Sequence, residues 1–321
     1  MAHGSEAHAL MNPHDQDPVA PKDAAGDAAA SGARKTPRFS SGESRQPWLN
    51  EMLDQASAIE SSSPRPEKAY PPDLQISWSW PHFLVFAVFV MCLLAAVPTA
   101  LLTIYGKMTT EQFQQFMLSK PQFSVGGTVV IYAFVLFFLY VSLALLRQRP
   151  FWSSLGWHKI GPFAGGKPAR PAIYFFAGCG LSLFVFGLTS LVSHPENVPI
   201  DEIFKYRQTA MWFVATSILV APLAEETVFR GYLYPTFARW FGVGPSIVIT
   251  GVLFGMMHGP QLGEAKSLIA IMSLVGIVLT LVRSRTGSVF ASFLMHLGYN
   301  SLIGVSLFLA TEGFTKALPG K

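Results

Sequence analysis

The sequence predicts an all-α fold, namely a polytopic transmembrane helical bundle of about seven spans with a disordered N-terminal tail. Charged residues make up only 13% of the 321 residues, which is about half of their usual share in soluble domains. The apolar residues, 50% of the chain, are concentrated in runs of the length that a bilayer requires, and the mean hydropathy is +0.37. The first 75 or so residues are instead rich in Ala, Ser, Pro and Gly, too polar to offset the entropy of ordering.

Seven apolar segments are predicted as membrane spans, because each approaches the roughly 20 residues that cross a hydrocarbon core. The fifth and sixth are short, so their boundaries are the least defined. A re-entrant segment near Gly259–Lys266 is an alternative for the last part of the scheme. The seven spans lie near Pro81–Tyr105, Val125–Leu146, Ala172–Val192, Thr209–Leu233, Ser246–His258, Leu268–Val282 and Ser288–Leu309.

Basic residues in the short loops predict the orientation, since loops rich in Lys and Arg stay in the cytosol. The loop between the second and third spans carries only basic charges, whereas the next loop carries Glu196, Asp201 and Glu202. This pattern places the N-terminal tail in the cytosol, and the chain suits a bacterial inner membrane. The net charge of +4 is interpreted as a signal for membrane orientation. The chain is therefore expected to contact a lipid bilayer and no nucleic acid. The basic residues of that loop are Arg147, Arg149, Lys159, Lys167 and Arg170.

Two acidic residues, Glu225 and Glu226, lie well inside the fourth predicted span. A charge in the bilayer costs at least about 2.5–3.5 kcal/mol on insertion scales, so such residues usually serve a function. Glu226 and Arg230 are four residues apart and share a helical face, where they can pair. Glu225 is rotated by about 100° and can face another group. A charge cluster that only pins one helix against its neighbours is the structural alternative.

Two histidines follow in the later apolar runs. His258 closes the fifth run, and His296 shares a helical face with Asn300 in the seventh. At 1.5 Å per residue, the helical rise predicts that Glu225, His258 and His296 meet in one layer in the cytosolic half of the bilayer. A cavity there is expected to open laterally or to the cytosolic side.

These residues form three motifs, Glu-Glu-x-x-x-Arg, Phe-x-x-x-His from Phe254 and His-x-x-x-Asn, in that order on successive spans. Together they resemble the motifs of the type II CAAX prenyl protease and bacteriocin-processing (CPBP) family of intramembrane endopeptidases. The resemblance covers about Ala210 to Leu309. It divides the chain into a cytosolic tail (1–75), the first three spans (76–200) and a catalytic transmembrane core (201–312).

The resemblance implies hydrolysis of peptide bonds in membrane-associated or lipidated protein substrates. Glu225 and His258 would activate a water molecule, and His296 and Asn300 would stabilise the oxyanion. Glu226, Arg230 and Phe254 would support the site. Two histidines and a carboxylate, here Glu225, His258 and His296, can also bind Zn²⁺ with an open fourth position, but no His-Glu-x-x-His pair requires it. A metal-independent mechanism is therefore favoured.

Two other functions compete with a protease. Intramembrane carboxylates and histidines also build proton relays, so a proton-coupled transporter is one alternative. The single layer of polar groups argues against a path across the bilayer, and no inverted repeat is evident. A non-catalytic membrane scaffold is the other alternative, although it would not need the complete polar set.

Overall fold

A computed structural model of the protein describes residues 47–62, 71–106, 108–161, 170–192 and 198–316. Within these residues the chain forms helices and no strand. Six helical segments are long and apolar enough to cross a membrane, and a seventh apolar helix, Val243–Met257, is shorter. The predicted class, a polytopic helical bundle, is confirmed.

The chain divides into two compact units, 1–67 and 68–321. In the first unit the structure describes one helix, α1 (Pro47–Ser62), which lies inside the segment predicted to be a disordered tail. It contains the apolar stretch around Trp48 and Met52. The remaining residues of that tail up to 46 lie outside the described residues.

The second unit begins with the helices that precede the motif-bearing part of the chain. A short helix, α3, occupies the loop between the first two predicted spans and begins with a capping box of Thr109 and Gln112. A π-helical turn, Val141–Leu145, extends α4. The helices are α2 (Trp80–Tyr105), α3 (Thr110–Ser119), α4 (Pro121–Tyr140), α5 (Phe151–Ser154) and α6 (Pro171–Thr189).

The motif-bearing half consists of five more helices. A 3-10 turn, Pro199–Lys205, precedes them, and another, Gly259–Leu262, follows α9. A π-helical turn, Thr227–Leu233, joins α7 to α8, so the apolar helical segment runs without a break from Arg207 to Phe241. The fourth span therefore does not end near Leu233 as predicted. The helices are α7 (Arg207–Glu226), α8 (Tyr234–Phe241), α9 (Val243–Met257), α10 (Lys266–Thr286) and α11 (Val289–Ala310).

Glycines let two helix pairs approach closely. A Cβ at Gly255 of α9 would stand 2.6 Å from the Ser273 nitrogen of α10. A Cβ at Gly298 of α11 would stand 2.0 Å from the Phe175 oxygen of α6. Small residues permit such backbone contact in membranes, where hydrophobicity alone does not drive helices together. The motif-bearing helices α9 and α11 are thereby each held against a neighbour.

Hydrogen bonds connect the segments at one end of the bundle, which we call the basic face: residues 72–79, 147–161, 239–242 and 283–288. The buried Arg283 binds the Asp73 carboxylate at 3.1 Å and its carbonyl oxygen at 3.2 Å. Arg147 donates to the Ser77 carbonyl, and Arg239 to that of Ile76. The Ser288 hydroxyl donates to the His158 carbonyl at 2.7 Å.

The opposite end, which we call the cavity face, comprises residues 110–119, 199–205, 259–262 and 311–316. The Thr209 hydroxyl donates to the Leu118 carbonyl at 2.8 Å. Arg207 donates to the Gly313 carbonyl at 3.1 Å, and the Phe204 and Phe314 rings lie 5.9 Å apart. These contacts gather the loops of this end around the opening described below.

Candidate active site

A fully buried ion pair lies at the junction of α7 and its π-helical turn. The Arg230 Nη1 donates to Glu226 Oε1 at 2.8 Å, and both side chains are 0% exposed. Arg230 Nη2 donates to the Gly276 carbonyl at 2.9 Å, and Nε to the Thr280 hydroxyl at 3.3 Å. Because these two acceptors belong to α10, the guanidinium fastens α7 to that helix.

His296 of α11 lies between the two glutamates. Its Nδ1 is 2.9 Å from Glu226 Oε1, and its Nε2 is 3.8 Å from Glu225 Oε2. A carboxylate only accepts hydrogen bonds, so Nδ1 carries a proton and Nε2 points toward Glu225. A chain of polar contacts thus runs from Arg230 through Glu226 and His296 to Glu225.

Glu225 has a second partner, which the spacing of the motifs does not predict. The Tyr132 hydroxyl of α4 donates to Glu225 Oε1 at 2.6 Å. The Glu225 side chain is 12% exposed, while Glu226 is completely buried. The 100° rotation between adjacent helical residues therefore gives one carboxylate to the interior and the other to the cavity.

His258 stands at the C-terminal cap of α9. Its Nδ1 lies 2.8 Å from the Phe254 carbonyl oxygen, which only accepts, so this nitrogen carries the proton and the neutral ring keeps a lone pair on Nε2. The buried Phe254 ring packs 4.7 Å from the His258 ring and 5.7 Å from that of His296. The Arg230 guanidinium carbon lies 4.6 Å from the centre of the Phe254 ring.

Asn300, one turn after His296, connects α11 to α7. Its Nδ2 donates to the Ser217 carbonyl at 2.7 Å. An amide nitrogen carries two hydrogens, so one donor of this group serves the scaffold and the second is available to a ligand.

A cavity of about 600 Å³ is lined by all of these groups, namely Tyr132, Glu225, His258, His296 and Asn300. Other lining residues are mostly apolar and come from α3, α4, α7, α9, α10, α11 and the turns Pro199–Lys205 and Gly259–Leu262. A concave apolar pocket with a few convergent polar groups is the usual form of a ligand site. The apolar lining includes Leu118, Val125, Ile200, Phe204, Phe213, Val214, Met272, Ile303 and Leu307.

The cavity opens at the cavity face. Its outer lining comes from Leu118, from the turn Pro199–Lys205 and from the exposed Pro260 and Gln261. The predicted opening, laterally or to the cytosolic side, stays a prediction.

Among the residues that the structure describes, no three His, Cys, Asp or Glu side chains form a group able to hold a metal ion. Glu225 and His296 approach each other, with 3.8 Å between Oε2 and Nε2. The Nδ1 of His258 and that of His296 are engaged by a carbonyl and a carboxylate, so Nε2 is the free nitrogen of the His258 ring and the one that His296 turns toward Glu225.

Residues 207–302 match a family model described as type II CAAX prenyl endopeptidase Rce1-like. The segment is thus similar to Rce1-like domains. It contains Glu225, His258, His296 and Asn300, and it excludes Tyr132, which joins the site from outside the domain. No curated protein and no solved structure matches the chain. The family indicates a peptidase that works in a membrane.

Proposed function

We propose that the chain is an intramembrane endopeptidase that hydrolyses peptide bonds of membrane-associated protein substrates without a metal ion. The observation that carries the proposal is the convergence of Glu225, His258, His296 and Asn300 on one cavity within the Rce1-like domain. Each of these side chains presents a group that peptide hydrolysis requires. We also propose a bacterial inner membrane as its location.

Glu225 and His258 activate the water molecule in this mechanism. The free Glu225 oxygen accepts a proton from water while the Nε2 lone pair of His258 holds the second hydrogen. The water oxygen then bonds to the substrate carbonyl carbon. When the carbon–nitrogen bond breaks, the proton held by Glu225 passes to the leaving amine. Tyr132 orients Glu225 through its hydrogen bond to the other oxygen.

His296 and Asn300 stabilise the oxyanion. Asn300 offers the amide hydrogen that Ser217 does not use. His296 turns its Nε2 toward Glu225 and the cavity, where an Nε2–H would donate to the oxyanion. A single oxyanion donor contributes about 3–4 kcal/mol to transition-state stabilisation. Glu226 acts indirectly, because its carboxylate fixes the orientation of the His296 ring.

A quenched-peptide library with lipidated members tests the proposal on the purified chain. Glu225→Gln should abolish cleavage, because the amide cannot accept the proton, and His258→Ala should reduce it strongly. Glu111→Gln, which changes an exposed glutamate of α3, is the matched control and should cleave like the parent. Cleavage that persists in Glu225→Gln would refute the mechanism. Zinc that copurifies with the parent and is lost in both variants would refute its metal independence.

A further inference from the structure

A second cavity, also of about 600 Å³, lies between α2 and α4. We call it the α2–α4 groove. Within the described part of the chain it shares no lining residue with the cavity of the candidate active site. Most of its wall is apolar, and several of its side chains are exposed on the outer surface of the bundle. The apolar lining residues are Val85, Phe89, Phe134, Phe137, Phe138, Val141 and Leu146.

The α2–α4 groove is polar and cationic at the end that belongs to the basic face. Ser79 and His82 line it there at the start of α2, and Arg147 lines it just after the π-helical turn of α4. One guanidinium N–H of Arg147 is used by the Ser77 carbonyl, and a guanidinium has five N–H groups in all. Among the described residues no acidic side chain lines the groove. This end therefore suits a negatively charged group.

His82 brings a second hydrogen-bond donor to this end. Its Nδ1 lies 2.7 Å from the hydroxyl of the buried Tyr232. Since that hydroxyl has no other hydrogen-bond partner among the described residues, it donates to Nδ1, and the neutral ring carries its hydrogen on Nε2. Nε2 is buried and has no partner of its own in the described part of the chain. Buried polar atoms are normally hydrogen-bonded, and an anionic oxygen in the groove would give this N–H an acceptor.

The polar end lies at the level that lipid headgroups occupy. Trp80 and Trp152, 48% and 49% exposed, lie at the same end of the bundle, and tryptophan is enriched at the membrane–water interface. From His82 to Phe89, helix α2 rises by about 10 Å, so the apolar part of the groove extends from this level into the hydrocarbon core. The groove thus matches an amphiphile that has its charge at the interface and its chain below.

We propose that the α2–α4 groove binds a phospholipid with an anionic headgroup. Its phosphate contacts Arg147 and His82, and one acyl chain follows Phe89 and Phe134 toward the middle of the bilayer. A zwitterionic headgroup carries the same phosphate but adds a cation, which the Arg147 guanidinium repels. Because Tyr232 belongs to the π-helical turn Thr227–Leu233, the His82–Tyr232 bond connects the lipid to the segment that directly follows the two glutamates of the candidate active site. The proposal does not depend on the peptidase function.

Native mass spectrometry of the detergent-purified chain tests lipid binding without any need for cleavage. The probes are phosphatidylglycerol and phosphatidylcholine with identical acyl chains. The parent should retain one phosphatidylglycerol in preference to phosphatidylcholine. Arg147→Gln should weaken this binding by about tenfold or more, because a hydrogen bond to a charged group is lost, whereas Arg147→Lys should preserve most of it. Arg149→Gln, at an exposed position outside the groove lining, is the matched control and should bind like the parent.

Val85→Trp tests the apolar part of the groove, because the larger side chain fills it without changing a charge. Val88→Trp is the control, since Val88 is similarly exposed and lies outside the lining. Only Val85→Trp should lose the lipid, and with it the rise in unfolding temperature that bound phosphatidylglycerol gives the parent.

Three results would overturn the proposal. The first is equal binding of the two lipids by the parent, or equal weakening in a groove variant and its control. The second is a rise in unfolding temperature with inorganic phosphate as large as that with phosphatidylglycerol, which would assign the polar end to a soluble anion. The third is a dimer of the parent that Val85→Trp separates, which would assign the groove to a second copy of the chain.

Discussion

At the scale of single residues, Glu226 and Arg230 form a buried ion pair in which each charge depends on the other. Removing one partner of such a pair typically costs about 3–5 kcal/mol, because the remaining charge is buried without compensation. Arg230→Met should therefore lower the thermal unfolding temperature in detergent substantially. The double variant Glu226→Gln/Arg230→Met should unfold at a higher temperature than Arg230→Met alone.

The exposed Arg149 provides the control for this experiment, since Arg149→Met removes a charge at the surface. It should leave the unfolding temperature close to that of the parent. A double variant as unstable as Arg230→Met would show that the lost contacts of Arg230 to Gly276 and Thr280, and not the orphaned carboxylate, determine the effect.

Tyr132 gives a second prediction for a single residue. Tyr132→Phe removes only the hydroxyl that donates to Glu225. A hydrogen bond to a charged group contributes about 1.5–3 kcal/mol, so kcat should fall roughly 10- to 100-fold, with KM little changed. Peptide cleavage kinetics measure both constants, and Tyr140→Phe, at an exposed position, is the control. A Tyr132→Phe enzyme with parental kcat would remove this residue from the mechanism.

At the scale of helices, the contact between α6 and α11 fixes the position of His296 and Asn300. Gly298 lies between these residues, and an added Cβ would overlap the Phe175 carbonyl of α6. Gly298→Ala should therefore lower both the unfolding temperature and the cleavage rate. Gly180→Ala is the matched control, because a Cβ there meets nothing within 4 Å, and helix propensity favours alanine by about 0.5–1 kcal/mol.

This prediction is checked by melting curves and kinetics on the two variants together. Gly180→Ala should be as stable as the parent or slightly more stable. Equal behaviour of the two alanine variants would mean that α6 and α11 can move apart without affecting the site.

The helices themselves were predictable from the sequence because their apolar runs are long and lipid imposes helical hydrogen bonding. Three details of the helices were not predictable from the sequence. The π-helical turn after Glu226 continues into α8, so the helical segment of the fourth span reaches Phe241 and does not end near Leu233. Helix α3 contains Glu111 and Gln112 and has no apolar run. Helix α1 falls in a segment whose composition is otherwise that of a tail.

Only part of the site was predictable from the sequence. Spacing alone indicates the pairing of Glu226 with Arg230 and the common face of His296 and Asn300. The contact of Glu226 with His296, and that of Tyr132 with Glu225, join helices distant in sequence. A lone tyrosine in an apolar run gives no sign of such a partner. The side on which the cavity opens depends on how the loops pack at one end of the bundle. Residue spacing carries no information about that packing.

At the scale of the whole molecule, the unit from residue 68 onward should be sufficient for the function. It contains every described contact of the site and the bond between Asp73 and Arg283. Deletion of residues 1–67 should leave the unfolding temperature and detergent cleavage unchanged. Asp73→Ala in the same truncated chain should lower the unfolding temperature, since it leaves the buried Arg283 without its carboxylate. Loss of activity in the truncated chain alone would assign the first unit a direct role.

The unequal lengths of the helices have a consequence for the surrounding lipid. The continuous helical segment from Arg207 to Phe241 would measure about 50 Å if straight, whereas the 15 residues of α9 rise only about 22 Å. The hydrocarbon core is about 30 Å thick, so α9 is too short for it and the α7–α8 segment too long. Such hydrophobic mismatch is relieved by tilting and by local thinning of the bilayer. Thinning beside α9 would bring the His258 end of that helix closer to bulk water. Acyl-chain length would then regulate the hydration of the site, and with it the rate of hydrolysis.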